Sequence, residues 1–332
     1  MENPQDVNFT TLDLDPNSMY TNTTFALAVP ESHNTPLVVV LSLIALLGFV
    51  GNTVMLIAML MGYKRGWSNT DLFILNVIVI DLVVVSINAP LRAVVESSPW
   101  FPLGESGCKA AVYFPYFGSV AVPMAVLSLV LNAAFQRVFR APYPLWLVCA
   151  ALVFVWVVAL HVPIPAVVYS EVISYLFIED VKFICHTAWP SQHFVYAYDT
   201  GIFALFYALP TLMLLAFCIV MIAVRRNGAG PVVSSQEGRR TDILIIIMAA
   251  LFVVMYLPYY VTFLYLTFGS GHDTRAVITM KAGICLIYLN SAVKPLLCAC
   301  LYGRFRRAFS SGYGRDERAG GTEERETELG SL

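Results

Sequence analysis

Residues 36–62 read PLVVVLSLIALLGFVGNTVMLIAMLMG, 27 positions without one Asp, Glu, Lys or Arg. A bilayer core of about 30 Å takes about 20 apolar residues to cross as a helix. Inside lipid every backbone amide must find its partner within the segment, so a run of this kind is helical. Six further runs of spanning length follow: Thr70 to Val95, Cys108 to Arg137, Pro144 to Tyr169, Ala197 to Val224, Thr241 to Phe268 and Ala276 to Leu301. The fourth and the centre of the sixth are equally uncharged, and the fifth carries a single acid, Asp199, near its start. A soluble helical core is the bland alternative, and this number of long uncharged runs argues against it. The expected fold is an all-α membrane protein, a bundle of seven transmembrane helices with a short amphipathic helix after the last span.

Composition agrees. Of 332 residues, 58% are hydrophobic and 13% charged, where soluble domains average about half and about a quarter. The net charge of -2 offers no basic face, which argues against a nucleic-acid partner. The seven cysteines, Cys108, Cys149, Cys185, Cys218, Cys285, Cys298 and Cys300, contain no C-x-x-C pair, so zinc-ribbon and thioredoxin readings fall away. Their odd number leaves at least one thiol free unless it pairs between chains. The histidines, His33, His161, His186, His193 and His272, make no H-E-x-x-H, and neither G-x-S-x-G nor a phosphate loop occurs. No enzyme, metal or cofactor is expected. His161 reads as a hydrogen-bonded packing residue. A transporter would show internal repeats around a midplane site, and no repeat is visible.

Loop charge sets the orientation. Lys64, Arg65, Arg137, Arg140, Arg225, Arg226, Arg239, Arg240, Arg304, Arg306 and Arg307 all fall on the side of the C-terminus, against Arg92, Lys109, Lys182 and Arg275 on the other. The positive-inside rule then places the N-terminus outside and the C-terminus in the cytoplasm. Residues 1–35 carry acids but no Lys or Arg, and two glycosylation sequons at Asn8 and Asn22. They are expected to form an extracellular glycosylated tail without a cleavable signal peptide. Residues 36–302 form the spanning domain, and 303–332 a basic helix, which could meet anionic lipid, followed by a disordered tail. Ser310, Ser311, Thr322 and Thr327 are candidate phosphosites there.

The residues that interrupt the apolar runs carry the finer information. Pro90, Pro123, Pro163, Pro165, Pro210, Pro258 and Pro295 would each kink a helix or free a carbonyl. Asp81 sits inside span two, where a charge costs about 2.5 to 3.5 kcal/mol on insertion scales. At about 1.5 Å per residue, Asp81 lies about 18 Å from the inner boundary and Lys294 about 15 Å from it. Matching depth predicts that the two form an ion pair, with Asn52, Asn290 and Ser291 as a polar core able to fill the remaining hydrogen bonds. The competing reading is a lone Lys294 that snorkels or deprotonates. Tyr259, Tyr260, Tyr265 and Tyr288, near the outer ends, read first as interface anchors.

These residues also resemble a known superfamily, the rhodopsin-like (class A) G-protein-coupled receptors. Gly51-Asn52, Asp81 within LNVIVIDL (residues 75–82), Trp156, Pro210, Leu257-Pro258 and NSAVKP (residues 290–295) stand in the family's order and spacing. Within it, Cys185-His186-Thr187-Ala188-Trp189-Pro190 and Ala89-Pro90 are similar to galanin receptors and neighbouring orphan peptide receptors. The resemblance covers roughly residues 36 to 310. It implies a disulfide between Cys108 and Cys185, which could contribute about 4 kcal/mol, with the other five cysteines as small buried packing residues. It also implies an outer pocket for an extracellular ligand of peptide type, for which Glu96, His186, Trp189, Tyr260 and Tyr288 are candidates. Tyr288 stands where opsins carry their retinal-binding lysine, so covalent retinal is excluded.

Departures from the family pattern cluster at the inner end. Asn132-Ala133-Ala134 replaces Asp-Arg-Tyr, Cys218 and Cys298 replace two tyrosines, Tyr256 replaces a tryptophan, and Lys294 replaces the asparagine of Asn-Pro-x-x-Tyr. These degenerate switch positions imply a plasma-membrane receptor with weak or atypical coupling to a heterotrimeric G protein, with arrestin as a further partner. The alternative is a non-signalling decoy or heterodimerisation partner.

Overall fold

The computed structural model describes residues 34–61, 66–139, 141–177, 180–226, 236–269, 273–303 and 305. Seven helices of membrane-crossing length account for most of them: α1 Thr35–Met61, α2 Asn69–Glu96, α3 Gly104–Phe139, α4 Leu145–Val168, α5 Gln192–Val220, α6 Gln236–Phe268 and α7 Thr274–Leu301. Each overlaps most of one of the seven apolar runs, so the seven-helix expectation and the order of spans hold. Between α4 and α5 lies a feature not anticipated from the sequence, an antiparallel hairpin of β1 Ser170–Phe177 and β2 Asp180–Thr187. Its register sets Val172 opposite Cys185.

Helix ends follow local chemistry. Ser68 and Asp71 form a reciprocal capping box at the start of α2, and the side chains of Ser191 and Asp273 cap α5 and α7; each satisfies amides that have no partner within the helix. Of the seven prolines, Pro90, Pro163, Pro165 and Pro210 lie at irregularities of their helices, whereas Pro123, Pro258 and Pro295 lie inside continuous α-helix. A π-turn at Val84–Asn88 immediately precedes Pro90, and another at Ala204–Ala208 precedes Pro210. In each case the ring removes an N–H and crowds the carbonyl four residues back, and one extra residue per turn relieves both. In α4 the helix breaks at Val162 and Pro163 before resuming at Ile164.

The core lies along α3, which packs on α2, α4, α5 and α6. In the most apolar stretch of α3, 83% of residues are buried, against 17% in α4. Much of the remaining apolar surface, such as Leu46, Leu47, Trp146 and Leu212, faces outward, as expected where lipid is the solvent. Where α6 and α7 meet, a β-carbon added at Gly283 would stand 2.8 Å from the backbone nitrogen of Tyr259, so glycine permits the close approach of the two helices.

Several cysteines sit differently from the sequence expectation. Among the five free thiols only Cys298 is buried; Cys218 and Cys285 are half-buried, while Cys149 and Cys300 are exposed. A small apolar side chain costs nothing on a lipid-facing surface, so burial is not required of it. His161 likewise is exposed, with Nδ1 2.7 Å from the Val157 carbonyl, a local bond rather than a packing contact. Of the amphipathic helix predicted after span seven, Gly303 and Phe305 are helical and Phe305 is buried. Asn8 and Asn22, the phosphosite candidates, Lys64, Arg65, Arg140, Arg304, Arg306 and Arg307 lie outside the described residues.

Candidate functional site

The middle of the bundle is joined by one ion pair. Lys294 Nζ in α7 donates to Asp81 Oδ1 in α2 at 2.8 Å, and the two side chains are 3% and 1% exposed. At that burial neither charge has water, so each depends on the other. Asn52 Nδ2 in α1 donates to the carbonyls of Gly48 and Ser291 at 2.9 and 3.1 Å, tying α1 to α7 rather than bonding the pair. Asn290 Nδ2 lies 3.8 Å from Met255 Sδ in α6. Asn52, Asn290 and Ser291 are all buried; the Asn52 and Asn290 amide nitrogens bond elsewhere, whereas the Ser291 hydroxyl and Asp81 Oδ2 have no hydrogen-bond partner among the described residues.

At the hairpin end, Cys108 at the head of α3 and Cys185 on β2 form a disulfide across 77 residues. The Phe101 amide donates to the Phe183 carbonyl at 2.8 Å and adds a second tie between hairpin and bundle. Below the hairpin lie two cavities, of about 330 Å³ and about 90 Å³, which share Asn88, Arg92 and Pro115 in their walls. Tyr288 lines the smaller cavity, and its hydroxyl donates to Asn88 Oδ1 at 2.9 Å. Asn88 Nδ2 in turn donates to the Phe114 carbonyl at 3.0 Å, so α7, α2 and α3 are linked through one amide. Glu96 is engaged by Arg92 and stands 3.9 Å from Lys281 Nζ. His186 lies on β2 opposite Glu171. Trp189, just past the hairpin, packs against Tyr169, Phe194 and Tyr198. Tyr260 stacks on Tyr207 at 4.6 Å between ring centres and also meets Phe203 and Tyr259.

The anchor reading of two tyrosines is corrected. Tyr260 and Tyr288 are 1% and 3% exposed and point into the bundle, whereas Tyr265 is exposed. A helix that is apolar all round gives no phase from which to tell its inner from its outer face. For Tyr288 a polar partner decides it, since Asn88 inside the bundle takes its hydroxyl; Tyr260 is held by its ring contacts, and its hydroxyl has no hydrogen-bond partner among the described residues.

The opposite end of the bundle holds Asn132, Ala133 and Ala134. All three are buried, and Asn132 Nδ2 donates to Thr70 Oγ1 in α2 at 3.1 Å. Tyr256 is not at this end: it is buried against Phe252 and lines the smaller cavity beneath the hairpin. One turn beyond Ala133, Arg137 Nη2 bridges both carboxylate oxygens of Asp242 in α6 at 2.6 Å each. The Tyr302 hydroxyl bonds Asp71 at the foot of α2, and Gly303 lies against Glu237 at the start of α6, where a β-carbon would meet the carboxylate. None of these three contacts was anticipated from the sequence. Their charged members sit at span ends, where Arg, Asp and Glu are ordinary, and nothing local marks them as partners.

A bundle of seven apolar helices, with one disulfide tying α3 to the loop hairpin and a buried acid on α2, defines a class of membrane receptor. Residues 51–297 match the family described as 7 transmembrane receptor (rhodopsin family), and the chain belongs to that family. It is 27% identical to galanin receptor 2b of Danio rerio over 285 residues, spanning 82% of this chain and 73% of the relative. It is 28% identical to galanin receptor type 1 of Rattus norvegicus over 285 residues, 82% of this chain and 80% of the relative. It is also 29% identical to galanin receptor type 2 of Homo sapiens over 293 residues, 84% and 73% respectively. The protein is thus a multi-pass plasma-membrane protein of a receptor family rather than an enzyme family.

Proposed function

We propose that the protein is a cell-surface receptor for a peptide and that its coupling to G proteins is weak. In this reading the hairpin end and the N-terminus face outward and the C-terminus is cytoplasmic, as the excess of Lys and Arg in the loops on the C-terminal side supports. Galanin receptors among its relatives support the peptide class of ligand. Of the candidates, Tyr288 lines the smaller of the cavities beneath the hairpin, whereas Glu96, His186, Trp189 and Tyr260 are not among the lining residues of either. These cavities are where such a ligand would act. It would do so by binding one arrangement of the helices better than another.

The observation that carries the weak-coupling reading is the Arg137–Asp242 pair beside Ala133. Ala133 offers no cation to a partner entering between the helix ends. A partner that parts α3 from α6 must also break an ion pair that is only one-fifth exposed. Exposed pairs contribute about 0.2–1 kcal/mol and removing one side of a buried pair costs about 3–5 kcal/mol, and this one falls between. Cys218 and Cys298, lacking hydroxyls, could not support an open state as tyrosines would. The buried Lys294–Asp81 pair replaces a hydrated polar cluster with a fixed contact between α2 and α7, and it adds to the stiffness.

The test is G-protein activation across all four classes, measured on membranes of cells whose surface receptor is quantified in parallel, with galanin as the peptide probe. Binding of the peptide with weak activation, measurable above the empty-membrane level, is the expected outcome. Robust activation would overturn the weak-coupling reading, binding with no activation of any class would favour the non-signalling decoy, and surface expression without any peptide binding would overturn this choice of ligand.

A further inference from the structure

The two cavities at the hairpin end differ in size and meet at one wall. The larger, about 330 Å³, falls in the range of pockets that hold a small molecule, and its walls include Leu91, Val95, Trp100, Val112 and Ile184. The smaller, about 90 Å³, has the volume of about three waters, enough for one side chain. Tyr256, Tyr259 and Tyr288 give it aromatic walls, which suit a ring. Asn88, Arg92 and Pro115 belong to both cavities.

Several polar groups of these walls are spent inside the protein. Asn88 bonds the Tyr288 hydroxyl and the Phe114 carbonyl, and Ser119 donates to the Pro115 carbonyl at 2.7 Å. Arg92 Nε and the Tyr256 hydroxyl differ, for both are buried and neither has a hydrogen-bond partner among the described residues. Tyr256 is only 1% exposed. Unmatched groups of this kind are rare and costly, and two of them on the walls of one cavity describe what it accepts. Nε can only donate and calls for an acceptor, while a hydroxyl can bond either a donor or an acceptor. The charge of Arg92 is already met by Glu96, which its Nη2 contacts. A carboxylate at Nε would stand beside that anion and be repelled. A neutral carbonyl takes the same bond without repulsion.

We propose that the two cavities form a subsite for a tyrosyl residue of a peptide and the apolar residue before it. The phenol ring enters the smaller cavity and its hydroxyl bonds that of Tyr256. The apolar side chain fills the larger cavity, and the uncharged carbonyl between the two residues accepts from Arg92 Nε. The subsite rests on the reading of the protein as a peptide receptor and names the chemistry it selects. A phenylalanyl residue would fill the same space and leave the Tyr256 hydroxyl unmatched, which is the source of the selectivity.

The experiment is a thermal-shift titration of the purified full-length receptor with N-acetyl-leucyl-tyrosinamide, N-acetyl-leucyl-phenylalaninamide and the free acid N-acetyl-leucyl-tyrosine. The first is expected to raise Tm by about 2 °C or more at saturation, as ligand linkage requires. The phenylalanyl probe is expected to need about five times the concentration, the scale of one neutral hydrogen bond. The free acid is expected to be weaker than its amide, and Glu96→Gln to bring the two level. Tyr256→Phe abolishes the difference between the tyrosyl and phenylalanyl amides and does not lower the Tm of the ligand-free receptor, since it removes only an unmatched hydroxyl; a merely structural role for that hydroxyl would lower it. Arg92→Lys keeps a cation for Glu96 but lacks the Nε donor, and it weakens both amides by about tenfold, the scale of one charge-assisted bond, while their ratio stays. The Tyr256→Phe arm stands even if Arg92→Lys fails to fold. Equal potency of the two amides on the unmodified receptor, no shift with any probe, a ratio that survives Tyr256→Phe, or amide shifts indifferent to Arg92→Lys would overturn the subsite. Any of these in a receptor that binds galanin would leave the peptide-receptor reading intact. The expected probe pattern without galanin binding would keep the subsite and overturn that choice of ligand.

Discussion

At the hairpin end α3 is held covalently, through Cys108 and Cys185, beneath a hairpin with cavities below it. At the opposite end the same helix is held to α6 by one ion pair, Arg137 with Asp242. A covalent tie fixes the loop and leaves the space below it free for a ligand. An ionic tie spans the gap between two helices and closes it, yet can be opened by any group that competes for either charge. Between the two ends, Lys294 and Asp81 join α7 to α2 where no water competes. On the proposed reading, the receptor therefore has a braced, open ligand-binding end and a closed, reversible opposite end.

The largest expected effect comes from removing the covalent tie. Cys108→Ala releases a loop of 77 residues, which in the chain-entropy treatment is worth about 4.5 kcal/mol. The variant should fail to reach the cell surface in amounts detectable by surface labelling. Next is the buried pair: Lys294→Met should cost about 4 kcal/mol, and the double change with Asp81→Asn should recover most of it. A double-mutant cycle on the Tm of purified receptor checks this; additive single effects would remove the pair from consideration. Because an ammonium already meets the Asp81 carboxylate, Tm should also be indifferent to exchanging sodium for N-methylglucamine. Gly283→Ala, which drives a methyl into the Tyr259 backbone, should cost about 1–3 kcal/mol through overpacking, read as a lower Tm at both low and high salt.

The smallest effect is at the closed end. Ala133→Arg alone should not restore coupling, because the position is buried, Asp242 is already engaged by Arg137, and Cys218 and Cys298 still lack hydroxyls. A nucleotide-exchange assay that found coupling restored by this single change would mean that the missing arginine, and not the closed end, is what limits the receptor.

The seven spans were legible because bilayer thickness dictates their length and lipid forbids charge in them. The Asp81–Lys294 contact was legible for a related reason: two buried charges at one depth have few other options. The prolines could be read from the chain as sites of irregularity, which holds at Pro90, Pro163, Pro165 and Pro210 but not at Pro123, Pro258 and Pro295, and the π-turns could not be read at all. The hairpin could not, since two antiparallel eight-residue strands carry no signal stronger than that of a loop between spans. The facing of Tyr260 and Tyr288 was misread because helices apolar on all sides give no rotational phase. Arg137 and Asp242 lie 105 residues apart in sequence, and only the packing of α3 against α6 brings them together.

The closed end can be measured as a distance. Spin labels at Phe139 on α3 and Arg239 on α6, both exposed, in a receptor whose five free cysteines have been replaced, report the separation of the two helix ends by double electron–electron resonance. The Arg137–Asp242 tie predicts one narrow, short distribution in the otherwise unmodified receptor and a second, longer population once Asp242→Asn is introduced. A longer population already present without that change, or a distribution that Asp242→Asn leaves untouched, would contradict a bundle held shut by this pair.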